Sequence, residues 1–387
     1  MMQIPMLDLK REYEFMKEDI DAAIRKCLGH QQWIFGPEIK EFEEVAARYL
    51  GVKHCIGVSS GTEALVISLR ALAIKRKGQE YFDRDDEIIT TPFTFTATGD
   101  AILRSGGMPV FVDVDPRSYN IDFRKVREYL ASSSGRVVGI IPVHLYGRPC
   151  EMDELTKIAE EYNLFVVEDV AQAFGGVWEG RQLGSIGTCG AFSFFPSKNL
   201  GGFGDGGMIA TSEDELAGLA RILLKHGGRD KYNVEYLGYN ARLDTLQAAI
   251  LLAKIRYIDE FNERRRKVAA SYARELAGIE DLLLPDNQGS PCGDFRCVYH
   301  QYTVRTSRRD ALQAYLKERG TASMVYYPFP LHRMKVFEGR MKTWGACVQA
   351  ESASAQVLSL PIEPLQSADA TAQVVDCIRS FYSSRAE

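Results

Sequence analysis

The chain has no run approaching the roughly 20 consecutive apolar residues that a membrane-spanning helix needs, so the sequence predicts no membrane span. It also lacks the basic start and long apolar stretch of a secretory signal, its first residues reading Met-Met-Gln-Ile-Pro-Met-Leu-Asp-Leu-Lys. The expected location is therefore the cytoplasm. A basic field is missing too. The formal net charge is −5, and the basic runs Lys75-Arg76-Lys77 and Arg264-Arg265-Arg266 are short. Neither nucleic acid nor anionic lipid is expected as a partner. No internal repeat or low-complexity linker interrupts the chain. Cysteines at 27, 55, 150, 189, 292, 297, 347 and 377 are scattered, as reduced thiols are, with no framework of disulfide spacing. Cys292, Cys297 and His300 form a metal-like grouping but lack a fourth ligand at useful spacing, so no metal site is expected.

What is present is an alternation of buried strands and amphipathic helices. Seven strand candidates are Cys55–Val58, Glu87–Thr90, Pro109–Val114, Val137–Val143, Leu164–Glu168, Ala191–Phe195 and Met208–Thr211. Several are nearly unbroken apolar runs, as strands covered on both faces are. Helices are predicted over Asp153–Tyr162, from a capping box at Ser212–Glu215 to about Lys225, and from Ala241 to about Arg266. The pattern predicts an α/β fold, a mostly parallel, doubly wound sheet with helices on both faces. A strand at Tyr302–Thr306 and helices at Asp310–Arg319 and Ala368–Tyr382 predict a smaller C-terminal α+β domain. With 387 residues the chain has room for two domains, expected at 1–255 and 256–387. Lys75–Asp86 reads as an exposed loop.

Chemistry concentrates in Ala-Phe-Ser-Phe-Phe-Pro-Ser-Lys-Asn-Leu-Gly-Gly-Phe-Gly-Asp-Gly-Gly, residues 191–207. A desolvated lysine here, Lys198, would lose its proton and become a nucleophile able to form an imine. On its own, the same residue reads more readily as a solvated loop lysine, as most lysines are. Asp169 ends a buried strand, where ligands of open α/β sheets bind. A carboxylate there could keep a pyridine nitrogen protonated, or simply cap a helix. Gln172 follows within the next turn. Val58-Ser-Ser-Gly-Thr-Glu-Ala-Leu65 runs from strand to helix, so the amides of Gly61 and Thr62 suit a phosphate. Ser193 is a second phosphate donor or a buried hydroxyl. Phe95 offers an aromatic face for a ring, whereas Phe93 reads as core. Together these residues suit pyridoxal phosphate. Gly202–Gly207 matches G-x-G-x-x-G, but a strand follows it where a dinucleotide site requires a helix.

These segments resemble the DegT/DnrJ/EryC1/StrS sugar aminotransferases, fold-type I pyridoxal phosphate enzymes. The similarity runs through Phe35-Gly-Pro-Glu38, Ser60-Gly-Thr-Glu-Ala-Leu65, Thr91-Pro-Phe-Thr-Phe95, Pro142-Val-His-Leu-Tyr-Gly147, Glu168-Asp-Val-Ala-Gln172, Phe192-Ser-Phe-Phe-Pro-Ser-Lys-Asn199 and Gly238-Tyr-Asn-Ala-Arg-Leu-Asp244. The resemblance implies that Lys198 is the Schiff-base lysine and proton carrier. It implies that Asp169 pairs with the pyridine nitrogen, Gln172 meets the ring hydroxyl, and Gly61, Thr62 and Ser193 hold the phosphate. Asn240 would reach that phosphate from the neighbouring subunit of a homodimer. Arg229, Tyr232 and His332 would face the nucleotide-sugar. The implied reaction moves an amino group from L-glutamate to a ketosugar, with pyridoxamine phosphate between the two halves. Two departures stand out: Lys75–Asp86 is longer than usual, and Phe195 replaces a frequent tyrosine. A sugar dehydratase would carry histidine in place of Lys198. A cyclitol aminotransferase or related synthase, or a cofactor-binding regulator, would share the scaffold.

Overall fold

The computed structural model describes residues 2–230, 232–285 and 294–383. Its centre is an eight-stranded sheet. The spatial order is His54–Val58, Gly207–Thr211, Cys189–Ser193, Phe165–Asp169, Arg136–Ile141, Asp86–Thr90, Met108–Val112 and Lys342–Trp344. Neighbours from Cys189–Ser193 to Lys342–Trp344 run parallel. Gly207–Thr211 is antiparallel to both of its neighbours, and two reversals leave His54–Val58 pointing with the majority. The expected doubly wound α/β sheet is therefore present.

Its two faces show why the strands read as unbroken apolar runs. Successive strand residues point to opposite sides. Val166, Ile140, Met208 and Ala210 enter one buried cluster, while Phe165, Val167, Ile141 and Ile209 enter the other. Helix Gly61–Lys77 lies on the second face, buried from Ala64 through Ala73. A third cluster gathers Tyr272, Tyr302, Val304, Leu312, Leu358, Val374 and Ile378 around an antiparallel pair, Tyr302–Arg305 with Val357–Leu360. Ile4 joins this cluster and bridges Thr321.

Four expectations are corrected. The eighth strand, Lys342–Trp344, was not expected. It is a three-residue edge strand with two exposed positions, and it carries no alternation to read. The helix expected from Ala241 to Arg266 is two, Thr245–Ile255 and Ile258–Glu275. No glycine or proline marks the break. It falls where Arg256 and Tyr257 both engage Asp19 of the first helix, Leu9–His30. The capping box does not form: Glu213 is the N-cap and makes no side-chain cap bond, and the Ser212 hydroxyl accepts from the Lys53 amide. Finally, Lys75–Asp86 is not simply an exposed loop. Lys75–Lys77 completes a helix, and Phe82 and Asp86 are buried. Among the described residues no helix is long and apolar enough to cross a membrane.

Candidate active site

Every parallel strand ends on the same edge of the sheet, and the chain places its reactive groups there. Asp169 is the last residue of its strand and is buried. One carboxylate oxygen accepts from the Thr98 hydroxyl at 2.8 Å, the other from the Ala171 amide at 3.2 Å. Burial pushes the Asp169 carboxyl up, and the Thr98 hydroxyl, the Ala171 amide, Lys198 and His144 pull it down.

Lys198 stands in the turn after Cys189–Ser193, its amide bonded to the Phe195 carbonyl at 2.8 Å. Desolvation pulls its ammonium down to about 8, against the opposing charge of Asp169. At pH 7 roughly one such lysine in ten is neutral, against roughly one in three thousand at the ordinary value. Amine and carboxylate, 29 positions apart in sequence (198 − 169), thus feel each other in a shared low-dielectric space.

Around them the polar groups are closely accounted for. Gln172 accepts from the Tyr146 amide at 2.7 Å and donates to the Tyr327 hydroxyl at 2.8 Å. One hydrogen of its amide nitrogen remains for another acceptor. Tyr327 lies 6.2 Å from the Phe95 ring, which is 56% exposed. Phe93 is fully buried, as core. Glu168 points away from Asp169, as strand alternation requires. Its carboxylate takes the amides of Gly184, Ile186 and Gly187 at 2.7–2.8 Å, and His144 at 3.1 Å. The Cys150 amide donates to His144 Nδ1, so the ring proton sits on Nε2 and is directed at Glu168.

The Gly61 end of the second-face helix meets the strand bearing Ser193. A Cβ on Gly61 would fall 2.7 Å from Ser193 Cβ, and one on Gly207 would fall 2.3 Å from the Ser60 backbone. Only glycine allows these approaches. Ser60 caps the helix by accepting from the Glu63 amide at 3.1 Å. The helix N-terminus, Thr62 and the Ser193 hydroxyl therefore converge on one partly open spot.

The other expected residues bond to neither Lys198 nor Asp169 among the described contacts. Arg229 is 69% exposed and paired with Glu235 at 2.7 Å, and Tyr232 is 85% exposed. Asn240 is exposed and bridges Lys225, although the next residue, Ala241, accepts from Ser59 beside the Gly61 turn at 3.0 Å. This segment is held by Arg70. The buried guanidinium donates to the Leu237 carbonyl at 3.0 Å, the Tyr239 hydroxyl at 2.7 Å and the Glu80 carboxylate at 3.0 Å. His332 contacts Glu351 at 3.0 Å, and its Nδ1 is buried without a partner among the described residues.

The sequence pattern singles out neither Thr98, His144 nor Tyr327, and marks His300 only within the metal-like grouping with Cys292 and Cys297. His144 lies inside the quoted segment 142–147, and Thr98 three residues beyond the quoted segment 91–95. Tyr327 comes from a stretch with no periodic pattern and reaches the site only through the fold. Cys292 lies outside the described residues. The spatial group of possible metal ligands is a different one, Cys27, His30 and Glu38, with ligand atoms within 4.8 Å of one another. Lys26 is already paired with Glu38 there at 3.1 Å.

Comparison with known proteins agrees with this arrangement. A family model described as the DegT/DnrJ/EryC1/StrS aminotransferase family matches residues 14–379. A "Pleiotropic regulatory protein" of Geobacillus stearothermophilus is 43% identical, covering 98% of this chain and 99% of its own. A UDP-N-acetyl-3-dehydro-alpha-D-glucosamine 3-aminotransferase of Acidithiobacillus ferrooxidans is 41% identical, covering 97% of each. The crystal structure of S. venezuelae DesV in complex with a ketimine intermediate superposes with a TM-score of 0.91 at 38% identity, covering 99% of both chains. The chain therefore belongs to the DegT/DnrJ/EryC1/StrS aminotransferase family.

Proposed function

We propose that this aminotransferase binds pyridoxal phosphate and moves an amino group from L-glutamate to the keto carbon of a nucleotide-linked sugar. The observation that carries the reading is that the buried carboxylate of Asp169 and the desolvated, partly buried amine of Lys198 feel each other's charge. Asp169 is held only by neutral donors besides Lys198 and His144, and burial pushes its carboxyl up. A protonated pyridine nitrogen is the cation such a carboxylate suits. The glycine-lined contact of Gly61 with Ser193 suits a phosphate at a helix N-terminus. The residues fit the cofactor.

When bound, pyridoxal phosphate supplies an aldehyde for the amine and a cationic ring that takes up electrons, ending the first half as pyridoxamine phosphate. The chain's own groups do the rest. Asp169 keeps the ring nitrogen protonated, and Thr98 keeps Asp169 ionised and aimed. Lys198 would hold the aldehyde carbon and, when free, would serve as the base that takes the proton from the donor's alpha carbon. Its lowered pKa makes it a base near neutral pH. Gln172 holds the ring hydroxyl with its remaining N–H, and Phe95 covers a ring face. Gly61, Thr62 and Ser193 bind the phosphate, with Asn240 from a second copy. Arg229, Tyr232 and His332 face the sugar, a role that suits the buried, unpartnered Nδ1 of His332.

A homodimer is part of the proposal. Trp33, Ile34 and Phe35 are 41%, 45% and 57% exposed in sequence, and Phe195 and Phe203 are 52% and 46% exposed. Large apolar side chains exposed in this number suit an interaction surface. The division at 255/256 is proposed next to the Arg256–Tyr257 break, and the cytoplasm as location. A cyclitol ketone remains the alternative acceptor on the same centre.

The test separates the half-reactions. Holoprotein given L-glutamate alone should lose its yellow absorbance and release 2-oxoglutarate. A panel of nucleotide ketosugars and cyclitol ketones, read by mass, then identifies the acceptor. Wild-type turnover by Lys198→Ala would reject the assigned chemistry.

A further inference from the structure

Asn199, the residue after Lys198, is locked into a buried amide network. Its Nδ2 donates to the Val298 carbonyl at 2.9 Å and to Asn262 Oδ1 at 2.8 Å. Asn262 Nδ2 in turn donates to the Phe174 carbonyl at 3.0 Å. Two backbone carbonyls, which only accept, fix the orientation of both amides. Asn199 Oδ1 is then an acceptor, and His300 Nδ1 lies 3.2 Å from it. The His300 proton must sit on Nδ1, leaving Nε2 as a lone pair. Asn199, Asn262 and His300 are 7%, 2% and 6% exposed, so water does not compete for these bonds.

The network joins four segments: the lysine turn, the end of the Asp169 strand's loop at Phe174, helix Ile258–Glu275, and the 298–300 turn. Its one contact to the lysine's neighbour from a titratable side chain is His300. The charged groups facing His300 are Lys198 and Arg265; both disfavour a proton on the ring, and burial pulls it well below its ordinary value. Those facing Lys198 and Asp169 include one another and His144. His300 therefore stays neutral beside the lysine over ordinary pH, with its single proton committed to Asn199.

We propose that His300 is a positioning residue for Lys198, fixing through its Nδ1–H bond to Asn199 how the lysine amine meets the cofactor aldehyde. This rests on the reading that Lys198 takes up pyridoxal phosphate. In that step the neutral amine adds to the aldehyde carbon, forming the carbon–nitrogen bond and releasing water. The amine must arrive unprotonated and aligned; a misplacement of an ångström costs on the order of a hundredfold.

Two amide variants separate position from polarity. His300→Asn places an N–H where Nδ1 is; His300→Gln places it where Nε2 is, away from Asn199. Apo-protein is mixed with pyridoxal phosphate, and covalent uptake is followed by absorbance across pH 6–10 (about the range that brackets the lysine). Affinity for 4-deoxypyridoxine phosphate, which has no aldehyde, is measured in parallel. The expected result is uptake at least about tenfold slower in His300→Gln, near wild type in His300→Asn, and unchanged deoxypyridoxine phosphate affinity in both. Wild-type uptake by His300→Gln, or equal slowing in both variants, would overturn the proposal. If His300→Gln does not fold, Asn199→Ser, which removes the acceptor of the same bond, is read against the same outcomes. Failure of the underlying reading looks different: Lys198→Ala would then show the wild-type absorbance change.

Discussion

The strand-end centre and the 226–240 segment are built on opposite principles. At the centre, Asp169, Glu168, His144, Gln172 and Asn199 are buried, and each is held by bonds whose direction can be assigned. In the 226–240 segment Arg229, Tyr232, Val234, Leu237 and Asn240 are exposed. The buried guanidinium of Arg70 ties that segment to helix Gly61–Lys77, and backbone bonds tie it to Ile222 and Leu223. Pre-organised groups in low dielectric suit chemistry that every substrate shares. An exposed loop suits contacts that differ from one substrate to the next.

The contrast breaks or sharpens under mutation, beginning with the centre. Lys198→Ala should lower turnover by about a thousandfold or more and abolish covalent cofactor uptake, measured by absorbance. Asp169→Asn should cost about a hundredfold in the glutamate half-reaction and also weaken binding of deoxypyridoxine phosphate, which keeps the ring nitrogen. Thr98→Val removes a hydrogen bond to a charged group, worth about 1.5–3 kcal/mol; roughly a tenfold loss in the same half-reaction is expected. Glu80→Ala, which strips a carboxylate from the Arg70 anchor, should change KM for the sugar no more than about fivefold and leave the glutamate half-reaction alone. Equal damage to both half-reactions would show that the two regions are not separable.

The lysine also makes a stability prediction with a definite sign. Its folded pKa is lowered from 10.5 to about 8, so between these values the unfolded chain binds more protons than the folded one. Stability rises with pH across that window. Below about pH 8 the buried ammonium costs the apo-protein on the order of 3 kcal/mol. Lys198→Met apo-protein should melt a few degrees above wild type at pH 7, with the gap closing as pH rises toward 10. A constant gap in calorimetry would contradict the assigned burial.

The same contrast decides what the sequence could reveal. Seven strands were legible because both faces of each are buried, which leaves apolar runs in the sequence. Asp169 and Lys198 were legible because each follows such a run, where a strand end must lie. Lys342–Trp344 was not, since an exposed edge strand needs no apolar pattern. The break at Arg256–Tyr257 escaped because its cause, Asp19, is remote in sequence. The wrapping of Glu80 and Tyr81 around Arg70 likewise comes from tertiary contact. Tyr327 and His300 bond to partners on other segments; no local spacing announces Tyr327, and the spacing around His300 suggests only a metal-like grouping.

The central claim is that the amine of Lys198 is the group that takes up the cofactor. Holoprotein reduced with borohydride, digested and mapped by mass should carry the phosphopyridoxyl addition on the peptide containing Lys198. An addition on a different lysine, or none in yellow protein, would contradict the account.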